Sequence, residues 1–199
     1  MVWVVVAIVA IVVLLVLWAI AIYNRLVRAR NRVDNAWAQI EVQLKRRWDL
    51  IPNLVETVKG YAAHERGTFE AVTQARATAQ QAQGPAATAQ AEGILGQALG
   101  RLFAVAEAYP ELKASQNFLD LQGQLRDTED KVAISRQVYN DTVLTFNNAI
   151  QTFPAVILAN SFGFAKREFF EVEDDGQREA PQVSFAADAS PATGDSPAS

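Results

Sequence analysis

Residues 33–58 read VDNAWAQIEVQLKRRWDLIPNLVETV. Val33, Trp37, Ile40, Leu44, Trp48, Ile51, Val55 and Val58 step by 4, 3, 4, 4, 3, 4 and 3 residues. Apolar side chains at that spacing fall on one face of an α-helix, so the stretch is amphipathic with a narrow buried seam. Pro52 lies inside the seam. A proline there removes one backbone hydrogen bond and crowds the carbonyl four residues earlier. A kink or break is therefore predicted at 50–52.

Upstream, residues 1–23 carry no charge, and Arg25, Arg28, Arg30 and Arg32 follow within nine residues. A helix over 2–22 would be about 30 Å long, the thickness of a bilayer's hydrocarbon core. Its eight Val, four Ile and three Leu give an insertion free energy of about −6 kcal/mol. Trp3 at one end and Trp18 and Tyr23 at the other suit the two membrane interfaces. A cleaved signal peptide is the alternative, since Ala19-Ile20-Ala21 resembles a cleavage site. The lack of a basic leader before the apolar run, and the length of that run, favour a retained anchor. The arginines on the C-terminal flank place the N-terminus outside and the rest of the chain in the cytoplasm. Arg25, Arg28 and Arg32 would form a stripe facing anionic headgroups, each attracted by roughly 1 kcal/mol.

Downstream the pattern stays helical. It fades through the Ala/Gln-rich stretch 71–83 and stops at Gly84-Pro85, where Pro85 suits a new helix's first turn. A second helix is predicted over 86–108, with Ile94, Leu95, Leu99, Leu102, Phe103 and Ala106 inward. In the third, Phe118, Leu121, Leu125, Thr128, Val132, Ser135, Tyr139, Thr142, Phe146 and Ala149 alternate steps of 3 and 4. Such regularity implies shallow-angle packing against neighbouring helices. Phe153-Pro154 ends or bends it, and a short apolar segment follows over 155–170. From residue 173 Ala, Pro, Ser, Gly, Asp and Thr dominate, as in a disordered acidic tail. The expected fold is all-α, with an anchor (1–23), an antiparallel four-helix bundle (24–172) and a tail (173–199).

The chain has 199 residues, a net charge of −4 and no cysteine. Disulfides, cysteine-based metal sites, a cysteine nucleophile and lipidation at cysteine are excluded. Residues 25–47 hold seven basic side chains against Asp34 and Glu41, whereas 171–199 hold seven acidic ones against Arg178. Basic charge thus sits beside the membrane rather than over a folded face, which argues against nucleic-acid binding.

The run Arg46-Arg47-Trp48-Asp49-Leu50-Ile51-Pro52-Asn53-Leu54-Val55 resembles the signature of the LemA family. The likeness continues through Ala75-Arg76, Glu107-Ala108-Tyr109-Pro110-Glu111-Leu112-Lys113-Ala114, Asn117-Phe118, Tyr139-Asn140, Asn147, Phe153-Pro154 and Ala180-Pro181-Gln182-Val183-Ser184-Phe185. Phe146 stands where that family more often has tyrosine. The resemblance implies a bacterial membrane protein with one N-terminal span, a cytoplasmic antiparallel helical bundle and no known catalytic activity. One branch of the family is implicated in forming magnetosome membranes.

No residue set for catalysis stands out. His64 is the sole histidine, and His64-Glu65-Arg66-Gly67-Thr68 lacks the second histidine of a zinc-protease helix. No cofactor or metal is expected. Gly93, Gly96 and Gly100 suggest close helix approach. Arg46, Arg47 and Asp49 are candidates for interaction or for fixing register, the arginines through ion pairs to Asp127, Glu129 or Asp130 or by binding phosphate headgroups or an acidic partner segment, and Asp49 by pairing locally. Pro52 marks the point needing support. Asn140 and Asn147, seven residues apart, could fix register as buried polar seam residues. Phe153, Phe162, Phe164, Phe169 and Phe170 crowd one region, where they either pack on the bundle or enter the membrane interface.

The functional expectation is a non-enzymatic, membrane-anchored scaffold or interaction module. Its expected partners are anionic lipid, unidentified membrane or cytoplasmic proteins, and a second copy of the chain. The alternatives are a self-assembling membrane-remodelling protein and a non-catalytic subunit of a membrane proteolysis complex.

Overall fold

A computed structural model of the chain describes residues 1–171. The helices are α1 (Val2–Lys59), α2 (Arg66–Gln81), α3 (Pro85–Glu107), α4 (Pro110–Lys113), α5 (Gln116–Gln151) and α6 (Ala155–Ser161), with no strand among the described residues. The tail expected from residue 173 and the 180–185 motif lie outside them.

The apolar run and the bundle share one helix. Helix α1 spans 58 residues, about 87 Å at 1.5 Å per residue. Its first part is exposed and apolar, with an 18-residue window of mean hydropathy 3.4 in which no residue is buried. Burial begins at Leu26 and then follows the seam through Val33, Ile40, Leu44, Ile51, Val55 and Val58. Pro52 does not break the helix. The break falls at 60–65 instead, a turn that the sequence reading passed over although Gly60 marks it.

Helix α2 runs back along α1, α3 runs forward again, and α5 runs back along nearly the whole bundle part of α1. Gly84 opens α3 at φ 81°, a conformation that L side chains rarely adopt, and Pro85 follows at its first turn. Two cores result. The distal one joins Ile51, Leu54 and Val58 of α1 to Val72 of α2, Leu95 and Leu102 of α3, and Phe118 and Leu125 of α5. The proximal one joins Leu26, Val33 and Ile40 to Tyr139, Val143, Phe146 and Ile150 of α5, together with Ala159, Phe164 and Phe170. Trp48 packs against both.

The seam of α5 is buried or partly buried at every expected position. In α3 the expectation fails at Ile94, which is 49% exposed. Close approach at the glycines fails too: a Cβ at Gly96 or Gly100 would meet nothing within 4 Å. Beyond α5, helix α6 departs at 94°. Residues 164–170 then form an irregular strap in the groove between α1 and α5.

Candidate functional site

Three constellations carry the polar chemistry of the bundle. The first surrounds Pro52. Proline has no N–H, so the carbonyl of Trp48 loses its helical donor. Arg76 of α2 supplies one: its Nε donates to the Trp48 carbonyl at 2.8 Å. The indole Nε1 of Trp48 donates to Glu92 of α3 at 2.6 Å. Arg47 donates to the other Glu92 oxygen at 3.2 Å, and the side chains of this pair are only 9% and 6% exposed. Sequence reasoning paired Arg47 with α5. Glu129 does lie 3.9 Å away, but it is largely exposed, and the main partner is Glu92. Glu92 was missed because it falls in an Ala/Gly-rich stretch with no charge pattern around it. Burial pushes the Glu92 carboxyl above its ordinary value, against the opposing pull of the Trp48 hydrogen bond and the Arg47 charge. Arg46 faces solvent and acts on Asp127, whose carboxyl is lowered first by its hydrogen bond from Lys131 and less by Arg46. Asp49 pairs locally with Lys45 at 3.0 Å.

The second constellation holds the strap. Asn147 donates from Nδ2 to the Arg167 carbonyl and accepts the Arg167 N–H on Oδ1, both at 2.9 Å. Asn140 treats Phe170 the same way, at 3.2 Å and 2.9 Å. Between them the Tyr139 hydroxyl donates to the Glu168 carbonyl at 2.8 Å. The match is geometric. Seven helical residues advance about 10.5 Å, and three residues of extended chain about 10 Å. Each asparagine therefore meets one strap residue and satisfies both that residue's backbone N–H and its C=O. Burial pushes the Tyr139 phenol up to about 12. Arg30 lies over the Phe164 ring at 5.3 Å, and Arg167 pairs with Asp34 at 3.0 Å.

The third lies where α1 leaves its apolar run. Arg25, Arg28 and Arg32 are exposed and form one wall of a cleft of about 700 Å³, faced by Thr145, Asn148, Thr152 and Phe153. Trp3, Trp18 and Tyr23 are 85%, 50% and 37% exposed along the rod. The five clustered phenylalanines divide: Phe164 and Phe170 are buried and Phe169 partly so, whereas Phe153 and Phe162 stand out. His64 is exposed in the 60–65 turn, and no three His, Asp or Glu side chains converge among the described residues.

Comparison with known proteins adds the following. A family model described as LemA family matches residues 36–185. Magnetosome protein MamQ of Magnetospirillum gryphiswaldense is 28% identical over 180 residues, covering 77% of this chain and 66% of that protein. Magnetosome protein MamQ 2 of Paramagnetospirillum magneticum aligns to the same extent. Protein LemA of Metamycoplasma hominis is 28% identical over 131 residues, covering 65% of this chain and 60% of that protein. The chain thus spans just under two thirds of the length of these relatives.

Proposed function

The chain belongs to the LemA family, and from that membership we propose that it is a non-enzymatic, membrane-anchored helical bundle serving as a scaffold or interaction module at the cytoplasmic face of a bacterial cell membrane. The observation that carries this reading is the continuity of α1 from the apolar run into the bundle. A helix without a hinge fixes the bundle's distance from the bilayer and restricts its encounters to the membrane plane, which raises the effective concentration of partners there. The four arginines after the apolar run favour the N-terminus outside and the bundle inside. The Glu92 and asparagine constellations support structural roles, since each is occupied in holding helices or the strap together.

The test is crosslinking in cells before detergent extraction, comparing the full chain with one lacking residues 2–23. The full chain should capture a defined partner set that the shortened chain loses. The same partners at the same yield from both would contradict a function built on tethering.

Relatives named as magnetosome proteins favour a second reading, in which copies of the bundle assemble on a membrane and shape it. Electron microscopy of liposomes carrying the protein distinguishes the two readings. Ordered arrays or altered curvature support remodelling, and scattered particles on undeformed vesicles support a plain scaffold.

A further inference from the structure

Helix α6 carries an apolar face that the bundle does not cover. Phe153, Ile157 and Phe162 are 77%, 59% and 60% exposed. No charged residue occurs from 142 to 165. Three observations state what covers this face. The first is depth. The Phe162 ring meets Tyr23 with centroids 4.9 Å apart, and Leu158 and Phe162 enclose an apolar cavity of about 300 Å³ with Val16, Ala19, Ile20 and Tyr23. Those α1 residues belong to the last turns of the apolar run, about 10 Å of helix rise. An element touching them sits at the depth of the membrane boundary. The second is direction. Helix α6 leaves α5 at 94°, and α5 lies along α1. A helix across a rod that spans the bilayer lies near the membrane plane. The third is the rim. Arg25, Arg28 and Arg32 lie just beyond this apolar surface on the bundle side, lining the cleft beside Phe153, with their long side chains within reach of the headgroups.

We propose that α6 and the adjoining Phe153 and Phe162 lie in the headgroup–acyl boundary of the inner leaflet and form a second membrane contact beside the span. This rests on the reading that α1 crosses the bilayer. It adds that the bundle is seated on the lipid surface, with α6 as a foot. Interfacial helices bury their apolar face roughly 5–10 Å into that boundary. The arginine-lined cleft beside Phe153 then faces lipid phosphates. A foot next to the span restrains tilting of the long rod, which a single helix entering the membrane does not.

The chain's lack of cysteine makes the test direct. Single-cysteine variants Ile157→Cys, Val13→Cys and Ile134→Cys of the full chain are labelled with an environment-sensitive fluorophore. They are reconstituted into phosphatidylcholine–phosphatidylglycerol vesicles. All three positions are exposed, at 59%, 50% and 64%, so the label disturbs little packing. Quenching by nitroxide on the lipid acyl chain is compared with quenching by aqueous iodide. The proposal expects residues 157 and 13 to be quenched several-fold more by lipid nitroxide than residue 134. Quenching at 13 but not at 157 overturns the foot and leaves the anchor standing. Protection of 157 from both quenchers, as burial against a protein partner would give, also overturns it. No lipid quenching at 13 removes the anchor and the foot with it.

Discussion

The two halves of the bundle cover the same helix pair in different ways. Away from the apolar run, α2 and α3 lie over α1 and α5, and the core is a mesh of Leu, Ile, Val, Ala and Phe from five helices. Next to the apolar run, α2 and α3 are largely absent, and the strap and α6 take their place. A helix satisfies its own backbone. A strap cannot, so its peptide groups must be bonded by side chains. That is the work of Asn140, Asn147 and Tyr139. The distal half is therefore held mainly by apolar packing, with the Arg76–Trp48 bond beside it, and the proximal half by packing plus a set of hydrogen bonds directed at the strap. The Arg47–Glu92 pair lies at their junction, next to Trp48, which serves both.

The largest expected effect tests the junction. Glu92→Ala leaves a buried Arg47 charge with Glu129 as its nearest anion, at a cost of about 3–5 kcal/mol. Urea unfolding of the full chain in detergent should show both halves losing stability together. The same carboxyl makes stability depend on pH. Its folded pKa is raised, so its contribution is complete below pH 4.5 and is lost as pH rises through the folded value. The stability of the wild type relative to Glu92→Gln should therefore fall with rising pH across that range. A flat difference would contradict the assigned burial.

Next is the strap. Replacing both Asn140 and Asn147 by alanine removes four hydrogen bonds to backbone, about 2–4 kcal/mol in all. Hydrogen exchange at the Arg167 and Phe170 amides should accelerate while the α2–α3 amides stay protected. Equal acceleration in both halves would erase the distinction between them. Arg76→Met tests the distal half more gently. It strands the Trp48 carbonyl and should cost about 1–2 kcal/mol. In a Pro52→Ala background the restored N–H should make Arg76→Met nearly silent, a coupling that a double-mutant cycle measures. The smallest effect is Tyr139→Phe, about 1 kcal/mol from one lost hydrogen bond. The Tyr139 pKa is also raised, so its share of stability is complete below about pH 10 and is lost as pH climbs through about 12. The phenylalanine variant should lack that alkaline slope.

The sequence carried the helix seams in both halves and less of the polar contacts and helix ends, for a physical reason. Seams in α1 and α5 repeat with the helix, so Val33 to Val58 and Phe118 to Ala149 could be read directly. Pro52 does not break α1, and Arg76 in a different helix, 24 residues along the chain, donates to the carbonyl it leaves free. Gly60, a weaker breaker, caps the C-terminal end of the helix. Asn140 and Asn147 stood out by spacing, yet their partners are peptide groups, which no residue pattern advertises. Ile94 and the α3 glycines misled because an apolar stripe does not say which of two flanks a neighbour covers.

The account rests on one helix carrying the chain from outside the membrane into a bundle within. Trp3→Cys and Ile134→Cys variants, treated in intact cells with a membrane-impermeant maleimide, test that most directly. Both positions are exposed, at 85% and 64%. Residue 3 should label in intact cells, and residue 134 only after the cells are permeabilised. Labelling of residue 134 in intact cells, or loss of the protein into the soluble fraction on alkaline carbonate washing, would contradict it.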